Sequence, residues 1–414
     1  MDKKQDDDLR NFAKRQISKE VRKKKKKAIN NISKLARGEK VETRAMSSKT
    51  KAKTAFKLVI YSILWVALIV SLFFSSSIER QINKTTFQFE SAIATGDYKV
   101  HFIDVGQGDA TLIQLPDSKT MLIDTGDPSA KNALVRYIDA LNITTIDYFI
   151  LTHTDNDHVG NASTIFGLYE IKTFYLPKCY SNYEKNNNKI ENSNYKVVTT
   201  KVWENTITSA YNEPGLVMNR NEADVKIESE NNYSFVFYGP SETSYTDVND
   251  YSPIIIANIC GIKYTFTGDA STKTEKEFID NYQTAITSRP SEFDCNILKV
   301  GHHGSDTSSS QAFLDVIKPE IAIISCGKDN KYGHPKSSVV NRLEAMSITI
   351  HRTDEEGSIV FSSSDDMPVS QSNYNHVSDS YVEWKYIVIV GGVILALSWF
   401  VFFQRSKKKV KSKE

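Results

Sequence analysis

The six residues His153-Thr-Asp-Asn-Asp-His158 bring two imidazoles and two carboxylates, those of His153, Asp155, Asp157 and His158, into one turn of chain. A mixed nitrogen and oxygen set of this kind suits zinc, manganese or iron better than magnesium or calcium. Histidine is scarce here, eight in 414 residues, so a pair in one turn is more than a polar loop gathers by chance. The turn follows Tyr148-Phe-Ile-Leu151, a short apolar run that reads as a buried strand and would deliver the ligands to its carboxyl-end rim. Gly160 is expected to let the chain turn tightly behind them.

Four further groups stand at the ends of predicted strands. Tyr98–Ile103 leads into Asp104-Val-Gly-Gln-Gly-Asp109, whose glycines allow close approach of backbone to a ligand and whose Asp109 can face the same point. Lys263–Thr267 ends in Gly268-Asp269, and a carboxylate there can bridge two cations; its bland alternative is a cap for a helix over 272–282. Cys295–Val300 ends in Gly301-His-His-Gly-Ser305, where one histidine can bind metal and the other act behind it or on a leaving group. Ile321–Ser325 leads to a fifth loop carrying His334. His101, His351 and His376 lack such settings and read as structural or exposed.

The elements between these groups follow from pattern. Thr120–Ile123 reads as a strand, Ala130–Leu141 as a helix capped by Asp127 or Ser129, Ala162–Leu168 as a short helix and Ile171–Leu176 as a strand. Lys178–Asn194, rich in Asn, Lys, Tyr and Ser, reads as an exposed insertion, with strands resuming at Lys196–Val202 and Tyr233–Tyr238. Repeated strand, ligand, helix units point to an α/β sandwich with its site along one rim. Cys179, Cys260, Cys295 and Cys326 have no paired spacing, and buried free thiols are expected.

The two ends of the chain are of another kind. Residues 1–57 hold 20 Lys or Arg against 7 Asp or Glu, either a basic amphipathic helix on anionic lipid or a solvated tail. Residues 58–78 and 386–403 are uncharged apolar runs long enough to be read as transmembrane helices, the second with Gly391, Gly392 and Ala396 spaced so that another helix can approach closely, as in a dimer contact. Basic residues flank both spans on the tail sides, so both termini are expected in the cytoplasm and the middle outside it. The segments are then a basic tail (1–57), a span (58–78), a linker (79–97), a catalytic domain (98–362), a second linker (363–385), a second span (386–403) and a short basic tail (404–414). The overall charge of +2 hides this partition: residues 58–403 carry 26 basic and 42 acidic residues, a net −16. Such a domain gains little from the counterion release that drives general nucleic-acid binding, so a polyanion would have to be held locally.

Residues 98–362 resemble the metallo-β-lactamase superfamily, specifically the hydrolase domain of the ComEC competence DNA-uptake proteins. The motifs that carry the likeness are Asp104-Val-Gly-Gln-Gly-Asp109, Ile123-Asp-Thr-Gly126, Thr152–Gly160, Phe266-Thr-Gly-Asp269, His302-His-Gly-Ser305 and Tyr332-Gly-His-Pro335. The resemblance implies a four-layer αββα sandwich, here between two transmembrane helices, and a site for two divalent cations, Zn²⁺ or Mn²⁺. It assigns His153 and Asp155 to one cation, and Asp157, His158 and His303 to the other, with Asp269 bridging. It leaves His302 or His334 to contact the scissile phosphate or protonate the leaving group, and Asp109, Ser305 and Asp250 as substrate contacts. Two departures stand out: Asp155 replaces a histidine common in the superfamily, and Val248-Asn-Asp-Tyr-Ser252 stands where another is usual, with Asp250 as a weak replacement ligand.

Two cations can acidify a shared water and offset charge on a pentacovalent phosphate. The expected function is membrane-anchored hydrolysis of phosphodiesters, in single-stranded DNA or in a cell-envelope polymer as in teichoic-acid phosphorylcholine esterases. ComEC proteins also have a multi-span channel that this sequence does not contain, so DNA transport is not expected. A membrane scaffold that has kept the fold without the chemistry is the competing class.

Overall fold

The structure is a computed structural model that describes residues 48–73, 97–362, 369–371 and 389–399, with residues 37 and 401. It divides into two compact units, Phe73–Ile387 and Met1–Leu72 with Val388–Glu414.

Phe73–Ile387 is built on two sheets. In spatial order the first runs Val369–Gln371, Ser358–Ser362, Lys99–Phe102, Thr111–Gln114, Thr120–Ile123, Thr145–Ile150, Glu170–Leu176, Val217–Arg220. The second runs Thr349–Arg352, Ile321–Ile324, Ile297–Lys299, Ile262–Phe266, Ile254–Ile259, Tyr233–Tyr238, Lys226–Ser229. Alternate residues of each strand serve different cores. Val100 and Phe102 meet Phe237, Ile255 and Phe266 between the sheets, whereas Leu112, Leu122 and Phe149 point outward to helices 131–140, 162–168 and 201–212. The outer face of the second sheet is covered in the same way by helices 272–288, 311–317 and 337–345 over Leu298, Val300 and Ile324. Four layers result, helices, sheet, sheet, helices. Burial on both faces explains why the central strands read as continuous apolar runs rather than alternating ones.

Strands 120–123, 145–150, 170–176 and 217–220 run parallel, as do 262–266, 297–299, 321–324 and 349–352. Loops leaving the carboxyl ends of these two sets carry most of the candidate residues, while Asp109 follows strand Lys99–Phe102 and Asp250 precedes strand Ile254–Ile259.

Several expectations need correction. Residues 196–202 are not one strand: only Lys196–Val197 pairs, and Lys201–Asn212 is a helix capped by Thr200. Trp203, Thr206, Ile207 and Ala210 are buried at helical spacing, a signal that the β-branched residues around Val197 masked. The insertion at 178–194 is ordered, with a strand at Cys179–Tyr180 and a helix at Asn182–Asn186 whose Ser181 and Glu184 form a capping box. Glu184 is buried against Arg220, which explains how so polar a segment packs. Val369–Gln371, inside the stretch read as a linker, adds an edge strand. The helix after Asp269 spans Thr272–Ser288, and Ser271 rather than Asp269 is its cap. All four cysteines are thiols rather than disulfide halves, Cys260 half-buried and the rest buried.

In the other unit, helix Ser48–Phe73 contains most of the first expected span, and residues 389–399 are helical within the second. Gly391 and Gly392 lie against Leu68, so the small-residue face packs on the chain's own first helix. Among the described residues no helix is long and apolar enough to cross a membrane. The basic segment of residues 1–36 and His376 lie outside the described residues.

His101 is buried on strand Lys99–Phe102, between the Tyr137 hydroxyl at 3.0 Å and Gln114 Oε1 at 3.1 Å. Burial pushes its pKa from 6.5 down to about 4, so the folded chain keeps it neutral while the unfolded chain protonates it near 6.5. Its contribution is therefore complete above pH 6.5 and is lost as pH falls toward 4, by about 3 kcal/mol at most. His101→Gln is expected to flatten the stability difference between pH 7 and pH 5, read by denaturant unfolding at each pH.

Candidate metal centre

Strand Thr145–Ile150 leads into Leu151, and a single helical turn, Asn156–Val159, then holds Asp157 and His158. Loop 104–109 braces this turn from the side: Asp109 N donates to Asp157 O, Gly126 N to Asp109 O, and Thr125 N to His158 O. Gly108 makes the brace possible. Its φ is +133°, and a Cβ there would sit 2.3 Å from Asp157 O, so the glycine lets backbone approach the metal turn rather than a ligand. Gly160 has an ordinary helical conformation; its need is space, since a Cβ would lie 2.4 Å from Gly126 O.

Three histidines converge. His158 Nε2 lies 3.3 Å from His303 Nε2, and the His153 and His158 rings are 4.1 Å apart at their centroids. Each has its other nitrogen occupied. His158 Nδ1 donates to Asp124 Oδ2 at 2.8 Å, His303 Nδ1 to the Ser325 carbonyl at 2.9 Å, and His153 Nδ1 meets Thr152 Oγ1 at 3.1 Å and Ser252 Oγ at 3.2 Å. All three Nε2 atoms are thereby turned inward, the arrangement by which outer partners fix ligand histidines. Two lone pairs facing at 3.3 Å are unfavourable unless a cation or proton lies between them.

Asp269 sits at the centre. Its Oδ1 is 3.1 Å from His158 Nε2, and its Oδ2 is 3.8 Å from His153 Nε2, 3.7 Å from His303 Nε2 and 3.5 Å from His302 Nε2. His153 Nε2 and Asp269 Oδ1 are buried without a hydrogen-bond partner, which is how atoms reserved for a cation look. Ligand atoms of Asp109, His158, Asp269 and His303 all fall within 4.8 Å of one another. Of the nearby carboxylates, Asp157 is better placed than Asp109, because its Oδ2 is 3.3 Å from His303 Nε2 whereas Asp109 meets Nδ1 on the far side of that ring. Asp155 stands at the open side, 47% exposed, with its Oδ2 4.0 Å from His153 Nε2. The residues fit divalent cations: Asp157, His158, His303 and Asp269 would hold one, His153, Asp155 and Asp269 another.

Electrostatics agree. Burial opposes charge on His303, but Asp269 and Asp109 outweigh it and raise the pKa to about 10; His158 is likewise raised well above its ordinary value against burial, by Asp269 and Asp124. Burial and the neighbouring His158 push His153 down to about 3, leaving a neutral imidazole suited to ligation. The cluster of carboxylates demands positive charge at one point.

Other candidates lie differently. Asp109, expected to meet substrate, is buried and paired with Lys299 Nζ at 2.7 Å. Asp250 is held by Ser271 and Thr274 at the start of helix 272–288, and Ser252 occupies the position beside His153 instead. Ser305, also expected to meet substrate, is buried and bonded to Thr307 at 2.9 Å, which in turn lies 3.3 Å from His302 Nδ1. His302 and His303 both have left-handed backbone, φ 47° and 55°, adjacent strained positions that aim the rings to different sides. His302 is 24% exposed, and half-buried His334 packs 5.6 Å from it, capped by Tyr332. Burial first, then His302 and His303, push His334 to about 4. Pattern reading missed Asp124, Ser252 and Lys299. Asp124 had a signal: Ile123 pairs in parallel with Ile150, so the residue after Ile123 must fall beside the turn.

Asp124→Ala should weaken metal binding by about 10–100-fold, read by titration against a competing chelator. Gly108→Ala should cause a loss at least as large, because the clash is with backbone that cannot rotate away.

Residues 103–188 match the model of the metallo-beta-lactamase superfamily. The chain is 27% identical over 280 residues to ComE operon protein 3 of Bacillus subtilis, covering 64% of this chain and 33% of that protein. It is 28% identical over 271 residues to competence protein ComA of Neisseria gonorrhoeae, covering 65% and 33%. It thus spans about a third of the length of the curated relatives it matches. A solved structure, the metallo-beta-lactamase fold protein YhfI from Bacillus subtilis, aligns at 12% identity over 64% of this chain and 99% of that one, with a TM-score of 0.39. The motif turn, the four-layer sandwich and these sequence likenesses identify the globular domain as a metallo-β-lactamase superfamily domain that resembles the ComEC competence proteins.

Proposed function

We propose that the protein is a membrane-anchored, extracytoplasmic phosphodiesterase that uses two divalent cations, zinc or manganese, on single-stranded DNA or another phosphodiester polymer. The observation that carries the reading is the convergence of three inward Nε2 atoms and several carboxylates on Asp269, at the carboxyl ends of strands from both sheets. Cations bound there would supply an acidified water and offset charge on a phosphate. Asp269, in contact with all four nearby histidines, fixes the spacing of the two halves of the site. Asp155 and His302, on the open side, are the groups a phosphate meets first. His334, neutral at pH 7, serves as a hydrogen-bond partner for a phosphate oxygen, leaving His302 to hand a proton to the leaving group.

Anchoring rests on the uncharged apolar runs at 58–78 and 386–403 with basic residues on their tail sides. Anionic lipid is the partner proposed for the basic tails, and pairing between copies is proposed through faces of the spans other than the Gly391 and Gly392 face that lies against Leu68. Relatives named for competence favour DNA as substrate. The net charge of −16 over residues 58–403 favours a second reading, a cell-envelope phosphodiester.

The test uses the full-length chain in detergent with Mn²⁺ or Zn²⁺, on single-stranded DNA and bis-p-nitrophenyl phosphate in parallel. Asp157→Ala and Asp269→Ala are each expected to reduce turnover by more than about a hundredfold. Loss of DNA cleavage with rising salt identifies DNA as a bound polymer. Cleavage of the small ester alone points to the envelope, and no metal-dependent cleavage of either defeats the enzymatic reading in favour of a scaffold.

A further inference from the structure

Lys299 is the last residue of strand Ile297–Lys299 and is only 2% exposed. Its ammonium lies 2.7 Å from Asp109 Oδ2 and donates to the Val300 carbonyl at 2.9 Å. A lysine is almost never buried this deeply unless paired, and a buried ion pair is often no more stabilising than apolar residues of the same volume. Stability alone is therefore a poor reason for it.

Its partner occupies a pivotal place. Asp109 Oδ1 is 3.2 Å from His303 Nδ1, though off the line of a hydrogen bond, and the Nδ1 proton goes to Ser325 O. One oxygen of the same carboxylate nevertheless lies within 4.8 Å of a ring nitrogen of His158, a ring nitrogen of His303 and an oxygen of Asp269, so Asp109 borders the ligand cluster. The backbone of Asp109 is meanwhile tied to Asp157 and Gly126, so only its side chain is free to choose. Oδ2 of that side chain is taken up by Lys299.

We propose that Lys299 is a positioning residue: it holds Asp109 out of the coordination sphere and behind the His303 ring, so that Asp109 supports His303 as an outer partner instead of competing with Asp157 as a ligand. Without the ammonium, Oδ2 would join Oδ1 in lacking a partner, and a cation held by the cluster would be the nearest charge able to satisfy them. Swinging in would remove the charge behind His303 and crowd Asp157. The inference rests on the metal-centre reading and not on phosphodiester cleavage, so an inactive protein that loads metal leaves it standing.

Full-length wild type, Lys299→Met, Lys299→Arg and Asp109→Asn are compared by Co²⁺ titration, reading affinity against a competing chelator and coordination from the visible spectrum. Lys299→Met is expected to bind about 10–100-fold more weakly, with a spectrum shifted toward higher coordination number. Lys299→Arg should restore the wild-type spectrum, and Lys299→Met with Asp109→Asn should remove the shift, because the competing oxygen is gone. Should Lys299→Met fold poorly, Asp109→Asn still tests the idea, since it must weaken binding without the spectral shift. Unchanged affinity and spectrum in a Lys299→Met variant that has only lost thermal stability would overturn the proposal, as would a shift that persists in the double variant or wild type that takes up no Co²⁺.

Discussion

The crowding of carboxylates around three imidazoles at one rim of the sandwich is the constraint on which the rest depends. Asp109, Asp124 and Asp269 are fully buried, and Asp157 is partly so. Leaving such charges in a low-dielectric interior costs several kcal/mol each unless cations meet them. Protons on His158 and His303 answer part of that demand, and Lys299 supplies a permanent charge for Asp109. The remainder is an affinity for divalent cations, set by the fold before any ligand arrives.

Keeping so many like charges together requires backbone that cannot relax. Loop 104–109 is threaded against the metal turn at a distance that only Gly108 permits, and Gly126 and Gly160 meet behind it with no room for a side chain. On the opposite side, His302 and His303 are held in left-handed backbone so that one ring enters the cluster while the other faces outward. Gly304 follows with Pro335 against it, joining this segment to the loop that brings His334. Small substitutions far from the ligands should thus be felt at the site, because the interior transmits displacement rather than absorbing it.

Much of this was legible in the sequence. His153, Asp155, Asp157 and His158 follow an apolar run that is the strand Thr145–Ile150, and Asp269 and His303 follow strands where pattern placed them. What pattern could not show was pairing across the fold. Nothing in a linear reading says that Asp109 faces a lysine 190 positions on instead of substrate, or that Asp250 turns to Ser271 while Ser252 turns to His153. Periodicity also failed at 201–212, where β-branched neighbours outweighed a helical stripe whose partner surface lies elsewhere in the chain.

Charge partition bears on how a polyanion could reach this site. The stretch 58–403, net −16, repels one at long range, but exposed charges are screened beyond about 8 Å at physiological salt. Recognition must then be short-range and sited at the rim. There, Lys328, Lys331 and Lys336 fall within one loop, Lys331 Nζ lies 4.9 Å from the centre of the exposed Tyr332 ring, and Tyr332 stacks on His334. Asn330 bonds both Gly327 and His334 across the loop, and Gly327 N donates to Gln107, so this basic surface is fixed to the loop that braces the metal turn. The lysines therefore sit on the loop that brings His334 to the rim, so a domain that is acidic as a whole still presents basic groups on a loop tied to the metal centre.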